Sequence, residues 1–171
     1  MRRTWYVLHV RPRTEKRVEA YLIRYGYFHY LPLRKKTVRI QRRKRTTYLP
    51  LFPGYVFTRL LPEERIRVLE TNLLVRTIPV PEPRQLIHQL RQVNRALKLK
   101  PDLVPAANIF HLGDQVRVVA GPFRGLEGVV RQSSKQTEVV LNVEMVGQSI
   151  PLVISPGDIE KLNREEKEKT S

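Results

Sequence analysis

The chain has 171 residues, no cysteine, and 32 Lys and Arg residues against 16 Asp and Glu residues, which gives a formal net charge of +16. The lack of cysteine excludes disulfides and thiol chemistry. No apolar run approaches the roughly 20 residues that a membrane-spanning helix needs, and the basic start is followed by too few apolar residues for a signal peptide. We therefore expect a soluble, cytoplasmic protein with no membrane partner.

The charge is distributed unequally along the chain. Residues 1–110 hold 24 Lys or Arg and 7 Asp or Glu, a net charge of +17, whereas residues 111–171 hold 8 and 9, a net charge of −1. Twelve of the 13 aromatic residues also precede His111. This asymmetry predicts two domains with different partners, of which only the first is electrostatically suited to a polyanion.

The first hundred residues predict an α+β domain. The β-favouring run from Trp5 to Val10 indicates a strand. The apolar spacing after Thr14 indicates a helix to Tyr25, with Gly26 as the left-handed residue just beyond its end. The next predicted elements are a strand over 27–33, a basic hairpin or loop over 34–47, a strand over 48–60 interrupted at its middle, a short helix from Pro62, a strand over 75–80 and a helix over 83–99. This order favours an antiparallel sheet with helices packed against it.

The remainder of the chain predicts a second, all-β domain. Residues 101–112 contain two prolines without clear periodicity, which is typical of a linker. Six of the eight glycines follow, between short runs of valine, leucine and isoleucine. We expect a small SH3-like barrel of about five antiparallel strands over 113–162, then a charged tail over 163–171.

Two adjoining segments of the first domain indicate a binding surface. Eight of the twelve residues from Arg34 to Arg45 are Lys or Arg, and no Asp or Glu occurs from Ala20 to Pro62. The segment 51–57, LFPGYVF, then places five large apolar side chains around a Pro-Gly turn. Such a strand can point alternate side chains into a core and towards a partner, beside a basic loop suited to phosphates.

The segment 113–130, GDQVRVVAGPFRGLEGVV, matches the KOW motif found in ribosomal proteins and transcription factors. Its glycines supply tight turns where a Cβ would clash. We expect Val116 and Val118 to face inward on one strand, Leu126 to begin the next, and Phe123 to cover the open end.

The two motifs in this order, after a Trp-Tyr pair near the start, resemble the NusG family over about residues 4–162. The resemblance implies an NGN-like first domain that binds RNA polymerase at the clamp helices of its largest subunit, and a KOW domain that recruits a ribosomal protein or a termination factor. The residues that it implies for the polymerase contact are Trp5, Tyr6, Phe52, Pro53, Gly54 and Tyr55. We expect DNA near the upstream edge of the transcription bubble, and possibly RNA, to contact Arg11, Arg13, Lys16, Arg17, Arg42, Arg43, Lys44 and Arg45. The expected partner surface of the KOW domain comprises Arg117, Phe123, Val146 and Ile150.

Some features depart from the general pattern of the family. The segment 71–76, TNLLVR, has no glycine where general members carry a glycine-rich stretch, so the chain resembles specialised paralogues more than the housekeeping factor. In one paralogue the second domain can refold into a helical hairpin. Here Pro122 and Pro151 would each destabilise such a helix by about 3 kcal/mol if they lay in its interior. We therefore expect a permanent barrel.

Three other classes of protein share some of these sequence features. A KOW-containing RNA-binding protein of the translation machinery fits the basic charge, but its barrel should be strongly positive. An RRM would need a further glycine and more aromatics than the Gly54–Phe57 segment provides. An enzyme is disfavoured because the four histidines are isolated and no catalytic motif occurs, so we expect no catalytic residue, cofactor or metal.

Overall fold

The computed structural model of the protein describes residues 2–107, 113–132 and 136–162. The chain divides into two compact units between Pro83 and Arg84. The predicted tail 163–171 and the part of the predicted linker over 108–112 lie outside the described residues. No helix among the described residues is long and apolar enough to cross a membrane.

The first unit is built on a four-stranded antiparallel sheet. Its strands and helices in chain order are β1 (Thr4–Val10), α1 (Glu15–Arg24), β2 (Phe28–Tyr30), β3 (Leu33–Ile40), β4 (Arg43–Pro50), β5 (Tyr55–Leu60), α2 (Pro62–Glu70) and β6 (Leu74–Pro79). The sheet has the strand order β2-β5-β1-β6, and all its pairings are antiparallel. This architecture confirms the predicted α+β class.

The two short helices bury their apolar faces against one side of this sheet. Leu8 and Val56 from the central strands pack in one cluster with Val18 and Leu22 of α1 and Val68 of α2. All five are at most 1% exposed. Helix α1 ends where Gly26 adopts a φ of +66°, the left-handed conformation predicted for this position.

Strands β3 and β4 form a separate two-stranded hairpin. Ile40 pairs with Arg43, so only Gln41 and Arg42 form the loop. The predicted basic stretch is therefore a regular ribbon of two eight-residue strands.

The described residues of the second unit form one long helix and six strands. These elements are α3 (Pro83–Leu99), β7 (Ala106–Ala107), β8 (Gln115–Val118), β9 (Glu127–Gln132), β10 (Thr137–Val143), β11 (Gln148–Val153) and β12 (Ile159–Lys161). The strands form one antiparallel sheet in the order β12-β8-β9-β10-β11-β7. The predicted small all-β domain is confirmed, with Val116, Val118 and Leu126 buried as expected. A Cβ on Gly128 would lie 2.7 Å from the Val140 carbonyl oxygen, so the close approach of β9 and β10 requires a glycine there.

Helix α3 has the bounds predicted from its apolar stripe, but it clusters with the second unit. Its polar side chains bond to the β domain: Gln92 Oε1 accepts a hydrogen bond from the Glu127 N–H at 3.0 Å, and Arg95 Nη1 donates to the Gly125 carbonyl at 3.0 Å. The sequence predicts a first domain over 1–100 that includes this helix; periodicity shows which face of a helix is apolar, but not what that face packs against. The domain boundaries at 100 and 112 stay a prediction.

Candidate functional site

A tight turn with proline and glycine at its centre separates β4 from β5. The Tyr55 N–H donates to the Phe52 carbonyl at 3.2 Å, which closes a four-residue turn, and Gly54 has a φ of +88°. Proline at the second position and a positive φ at the third define a type II turn, in which glycine is strongly preferred. The Pro-Gly pair therefore fixes where the segment bends before β5 begins.

Hydrogen bonds from two other elements hold this turn. The Gly54 N–H donates to Glu15 Oε1 at 2.8 Å, and the Val10 N–H donates to the Gly54 carbonyl at 2.8 Å. Glu15 lies in the first turn of α1 and is only 7% exposed. The turn is thus fixed to both α1 and the end of β1.

The residues predicted from the LFPGYVF segment separate into core and surface. Phe52 is only 1% exposed, and its ring packs edge-on against Phe57 at a centroid distance of 6.3 Å. Phe52 is therefore a core residue rather than an accessible contact, because it points inward beside the turn. Pro53 is exposed, and Gly54 and Tyr55 are half-buried.

The strand register also places Trp5 and Tyr6 on opposite faces of the sheet. Trp5 pairs with Arg59 and His9 with Tyr55, so Trp5 and Tyr55 lie on one face of the sheet. Tyr6 lies on the opposite face, packed against the core that contains the helices. The structure therefore brings Trp5 and Tyr55 to a common surface and removes Tyr6 from it.

The sheet face that carries Trp5 and Tyr55 is rich in rings. We call it the aromatic face; by strand pairing it comprises Trp5, His9, Phe28, Tyr30, Tyr55 and Phe57. Trp5 meets Phe28 edge-on at 5.2 Å between ring centroids, and His9 stacks on Tyr55 at 5.2 Å. Phe28 is 47% exposed, whereas burial raises the pKa of Tyr30 to about 12.

The contacts predicted from the sequence left out four members of this face, namely His9, Phe28, Tyr30 and Phe57. The alternation of β1 did carry a signal, because Trp5 and His9 are four residues apart and so share a face of any strand. The pairing of β2 with β5 has no comparable signal in the sequence, since the two strands are separated by the whole hairpin.

The predicted cations of α1 lie at its start. Arg11, Arg13 and Arg17 are exposed, and Arg13 has a φ of +63°, which is uncommon for a residue with a side chain. Lys16 is also exposed, but its Nζ donates to the Tyr48 carbonyl at 2.7 Å. Lys16 therefore ties α1 to the base of the hairpin, a role that the sequence did not predict.

The remaining predicted cations occupy the end of the hairpin. Gln41 and Arg42 have φ values of +47° and +65°, the conformation of a type I′ turn. Arg43, Lys44 and Arg45 follow in β4 and are exposed. Because neighbouring residues of a strand point to opposite faces, Lys44 faces one side of the ribbon while Arg43 and Arg45 face the other.

Two of the four residues predicted for the KOW partner surface are buried. Val146 is 7% exposed and Ile150 is fully buried, so both support the fold of the β domain and a partner would not reach them directly. Phe123 is half-buried. Arg117 donates from Nε to Glu127 Oε1 at 2.9 Å.

The described part of the chain contains no group of three or more His, Asp or Glu side chains that could hold a metal ion. The first unit presents a cationic ribbon that a rigid turn joins to the aromatic face. In that face Phe57 is fully buried, whereas Trp5, Phe28 and Tyr55 are at least partly exposed. Such surfaces bind partners, because aromatic rings anchor protein interfaces and cations attract phosphates.

Comparisons with known proteins agree with this organisation. The family model described as "Transcription termination factor nusG" matches residues 3–112, and the KOW motif model matches residues 112–142. The transcription termination/antitermination proteins NusG of Staphylococcus aureus strains Mu50 and N315 are each 26% identical to this chain, over 92% of it and 95% of their own length. A solved structure that describes the domain interaction in Thermotoga maritima NusG covers 95% of this chain and 99% of its own, with 24% identity and a TM-score of 0.50, which shows likeness of fold. Because the first family match spans more than half of the 171 residues, the chain belongs to the NusG family.

Proposed function

We propose that this chain binds RNA polymerase during transcript elongation and modulates pausing, termination or antitermination, without catalysing a reaction itself. The observation that carries the proposal is the arrangement of the first unit of a NusG-family chain: the rigid Pro-Gly turn directly follows the cationic hairpin and leads into the aromatic face. A protein surface and a polyanion could be bound at once by such a unit.

The polymerase contact is assigned to Trp5, Pro53 and Tyr55, on the clamp helices of the largest subunit. Aromatic residues are enriched among the few interface residues that dominate binding energy. The half-buried rings of Trp5 and Tyr55 are already held by Phe28 and His9, so little side-chain freedom is lost when a partner covers them.

The nucleic-acid contact is assigned to the hairpin and to Arg11, Arg13 and Arg17 at the start of α1. These side chains are exposed, and no carboxylate occurs between Ala20 and Pro62 to neutralise the hairpin. DNA near the upstream edge of the transcription bubble, or the transcript, supplies the complementary phosphates.

The effect on elongation follows from differential binding. A factor can shift the polymerase clamp towards its closed form only if it binds that form more tightly than the open form. Simultaneous contact with the clamp and with nucleic acid provides such a preference when the closed form brings both partners into register with the two surfaces.

The second unit is assigned to recruitment of a further protein, a ribosomal protein or a termination factor. Residues 84–171 hold 13 Lys or Arg and 10 Asp or Glu, a net charge of +3 against +13 for residues 1–83, so the second unit is much less suited to a polyanion. Of the predicted contact residues, Arg117 and Phe123 stay candidates because neither is buried.

Binding of the full-length chain to purified core RNA polymerase tests the proposal. We expect Tyr55→Ala and Trp5→Ala each to weaken binding by about 2 kcal/mol, roughly 30-fold, as for a hot-spot aromatic. Tyr25→Ala is the matched control, because Tyr25 is 49% exposed on the same unit but lies at the end of α1.

Equal binding by all three variants and the wild type would contradict the assignment of the aromatic face. Retention of ribosomal RNA in place of polymerase would instead favour the class of RNA-binding KOW proteins of the translation machinery.

A further inference from the structure

One tyrosine on the hairpin has an exposed ring that the proposed contacts do not use. Tyr48 in β4 is 51% exposed. No ring contact or side-chain hydrogen bond of Tyr48 occurs within the described residues. One exposed ring is ordinary on a protein surface, so what could use this ring depends on the residues around it.

Three cations lie on the same side of the ribbon as this ring. Lys35 lies opposite Tyr48, and the same side of the ribbon continues with the pair Arg39–Lys44 nearer the loop. Between them Thr37 Oγ1 and Thr46 Oγ1 lie 3.2 Å apart. We call this side, with all six residues exposed, the tyrosine side of the hairpin.

Ile40, the other exposed large apolar residue of the ribbon, lies on its opposite side. Val38, Ile40 and Leu49 alternate with the tyrosine side along the two strands. Leu33 and Pro50, the apolar residues on the side of Tyr48, are half-buried at the base of the ribbon, so the exposed neighbours of the ring towards the loop are polar or cationic.

We propose that the tyrosine side binds an unpaired nucleic-acid strand, with one base stacked on the Tyr48 ring and the adjacent phosphates on Lys35, Arg39 and Lys44. This inference rests on the proposed nucleic-acid contact and specifies the form of nucleic acid. The bases of a duplex are already stacked on each other, whereas an unpaired base offers a free face to an aromatic ring. Cations alone would not discriminate between the two forms, since both carry phosphates.

The position of Tyr48 is set before any ligand arrives. Its carbonyl accepts the hydrogen bond from Lys16 Nζ at 2.7 Å, and Thr47 and Leu49 beside it are half-buried. A ring on a strand fixed at this point loses little freedom on stacking, which favours affinity.

Titration of labelled oligonucleotides with the full-length chain tests the inference. The probes are a 12-nucleotide unstructured single strand and a 12-base-pair duplex, each measured over a range of salt concentrations. We expect Tyr48→Ala to weaken single-strand binding by about 5- to 150-fold, the range for loss of one stacked base. The salt slope stays unchanged, because a neutral ring releases no counterions.

Two control variants separate stacking from charge. Tyr48→Phe keeps the ring and is expected to bind the single strand within about twofold of the wild type. Arg39→Ala removes one phosphate contact and is expected to reduce the single-strand salt slope by about 0.7 and the duplex slope by about 0.9. Duplex binding by Tyr48→Ala stays at the wild-type level.

The failures of this inference and of the proposed function are distinguishable. Unchanged single-strand binding by Tyr48→Ala, with the slope still reduced by Arg39→Ala, overturns the stacking role and leaves the nucleic-acid contact in place. Equal losses on both probes also overturn it. Absence of binding to either probe overturns both, while weaker binding of Tyr48→Ala to core polymerase alone reassigns the ring to a protein contact and overturns the inference.

Discussion

Arg42 occupies a backbone position that favours glycine. Both loop residues of the hairpin have positive φ, a combination for which Asn-Gly is the preferred pair. A residue with a side chain in this conformation costs about 1–2 kcal/mol. The charge of Arg42 is thus placed at the end of the ribbon at some expense in stability, which is common at functional positions.

Replacing the loop by Gln41→Asn/Arg42→Gly separates stability from function. We expect the hairpin amides to exchange more slowly with solvent, by an amount equivalent to about 1 kcal/mol, because the strain is relieved. Affinity for nucleic acid falls, and the salt slope decreases by about 0.7–0.9 through the lost cation. Native-state hydrogen exchange and salt-dependent anisotropy measure the two effects. Unchanged affinity would show that the charge of Arg42 contributes nothing to binding.

The same scale shows what sequence could not predict about single residues. The alternation of side chains along a strand implied that one face of β5 packs in the core. The sequence did not show which residues around the Pro-Gly turn point to that face. Burial of Phe52 and exposure of Pro53 follow from where the type II turn ends, because β5 begins only at Tyr55. The geometry of that turn depends on hydrogen bonds from Val10 and Glu15, which are distant in sequence.

Helix α1 connects the main parts of the candidate site. Its first turn bonds the Pro-Gly turn through Glu15 and the hairpin through Lys16. Glu15 is buried, so its removal would leave the Gly54 N–H without its acceptor. The helix therefore couples the orientation of the ribbon to that of the aromatic face.

We expect Glu15→Ala to destabilise the turn by about 1–3 kcal/mol, the cost of an unmade buried hydrogen bond. Glu63→Ala is the matched control, because Glu63 also lies in the first turn of a helix but is exposed. Both changes remove the favourable interaction of an acid with a helix N-terminus, so the difference isolates the bond to Gly54. Hydrogen exchange at Gly54 and Tyr55 reports the effect; equal protection in both variants would contradict it.

Most elements could be predicted from local signals, whereas their assembly could not. The bounds of α3 match its apolar stripe, and α1 ends at the glycine expected to end it. The grouping of α3 with the β domain depends on polar contacts such as that of Gln92 with Glu127. Such contacts produce no periodic pattern in the sequence from which they could be predicted. The pairing of β2 with β5 is likewise a long-range choice.

On the scale of the whole molecule, the excess of positive charge lies in the part of the chain that precedes the β domain. Residues 1–110 carry the entire positive excess. If binding to nucleic acid depended only on net charge, the location of the cations would not matter. The exposed ribbon instead predicts that location decides affinity.

Two double variants with the same net charge test this expectation. Arg39→Ala/Lys44→Ala removes two cations from the hairpin, and Arg124→Ala/Lys161→Ala removes two from the β domain. We expect only the first to weaken binding of the full-length chain, with a decrease of about 1.8 in the duplex salt slope. Equal losses in salt-dependent anisotropy would contradict the separation.

The ribbon of β3 and β4 also bears on self-association. The two strands pair only with each other among the described residues. Apart from the Tyr48 carbonyl, which accepts a bond from Lys16, their outer edges present backbone groups to which a strand of another molecule can add. Lysine and arginine along both edges repel a second copy and discourage such edge-to-edge addition. The cations that attract phosphates thereby also keep neighbouring molecules from joining into extended sheets.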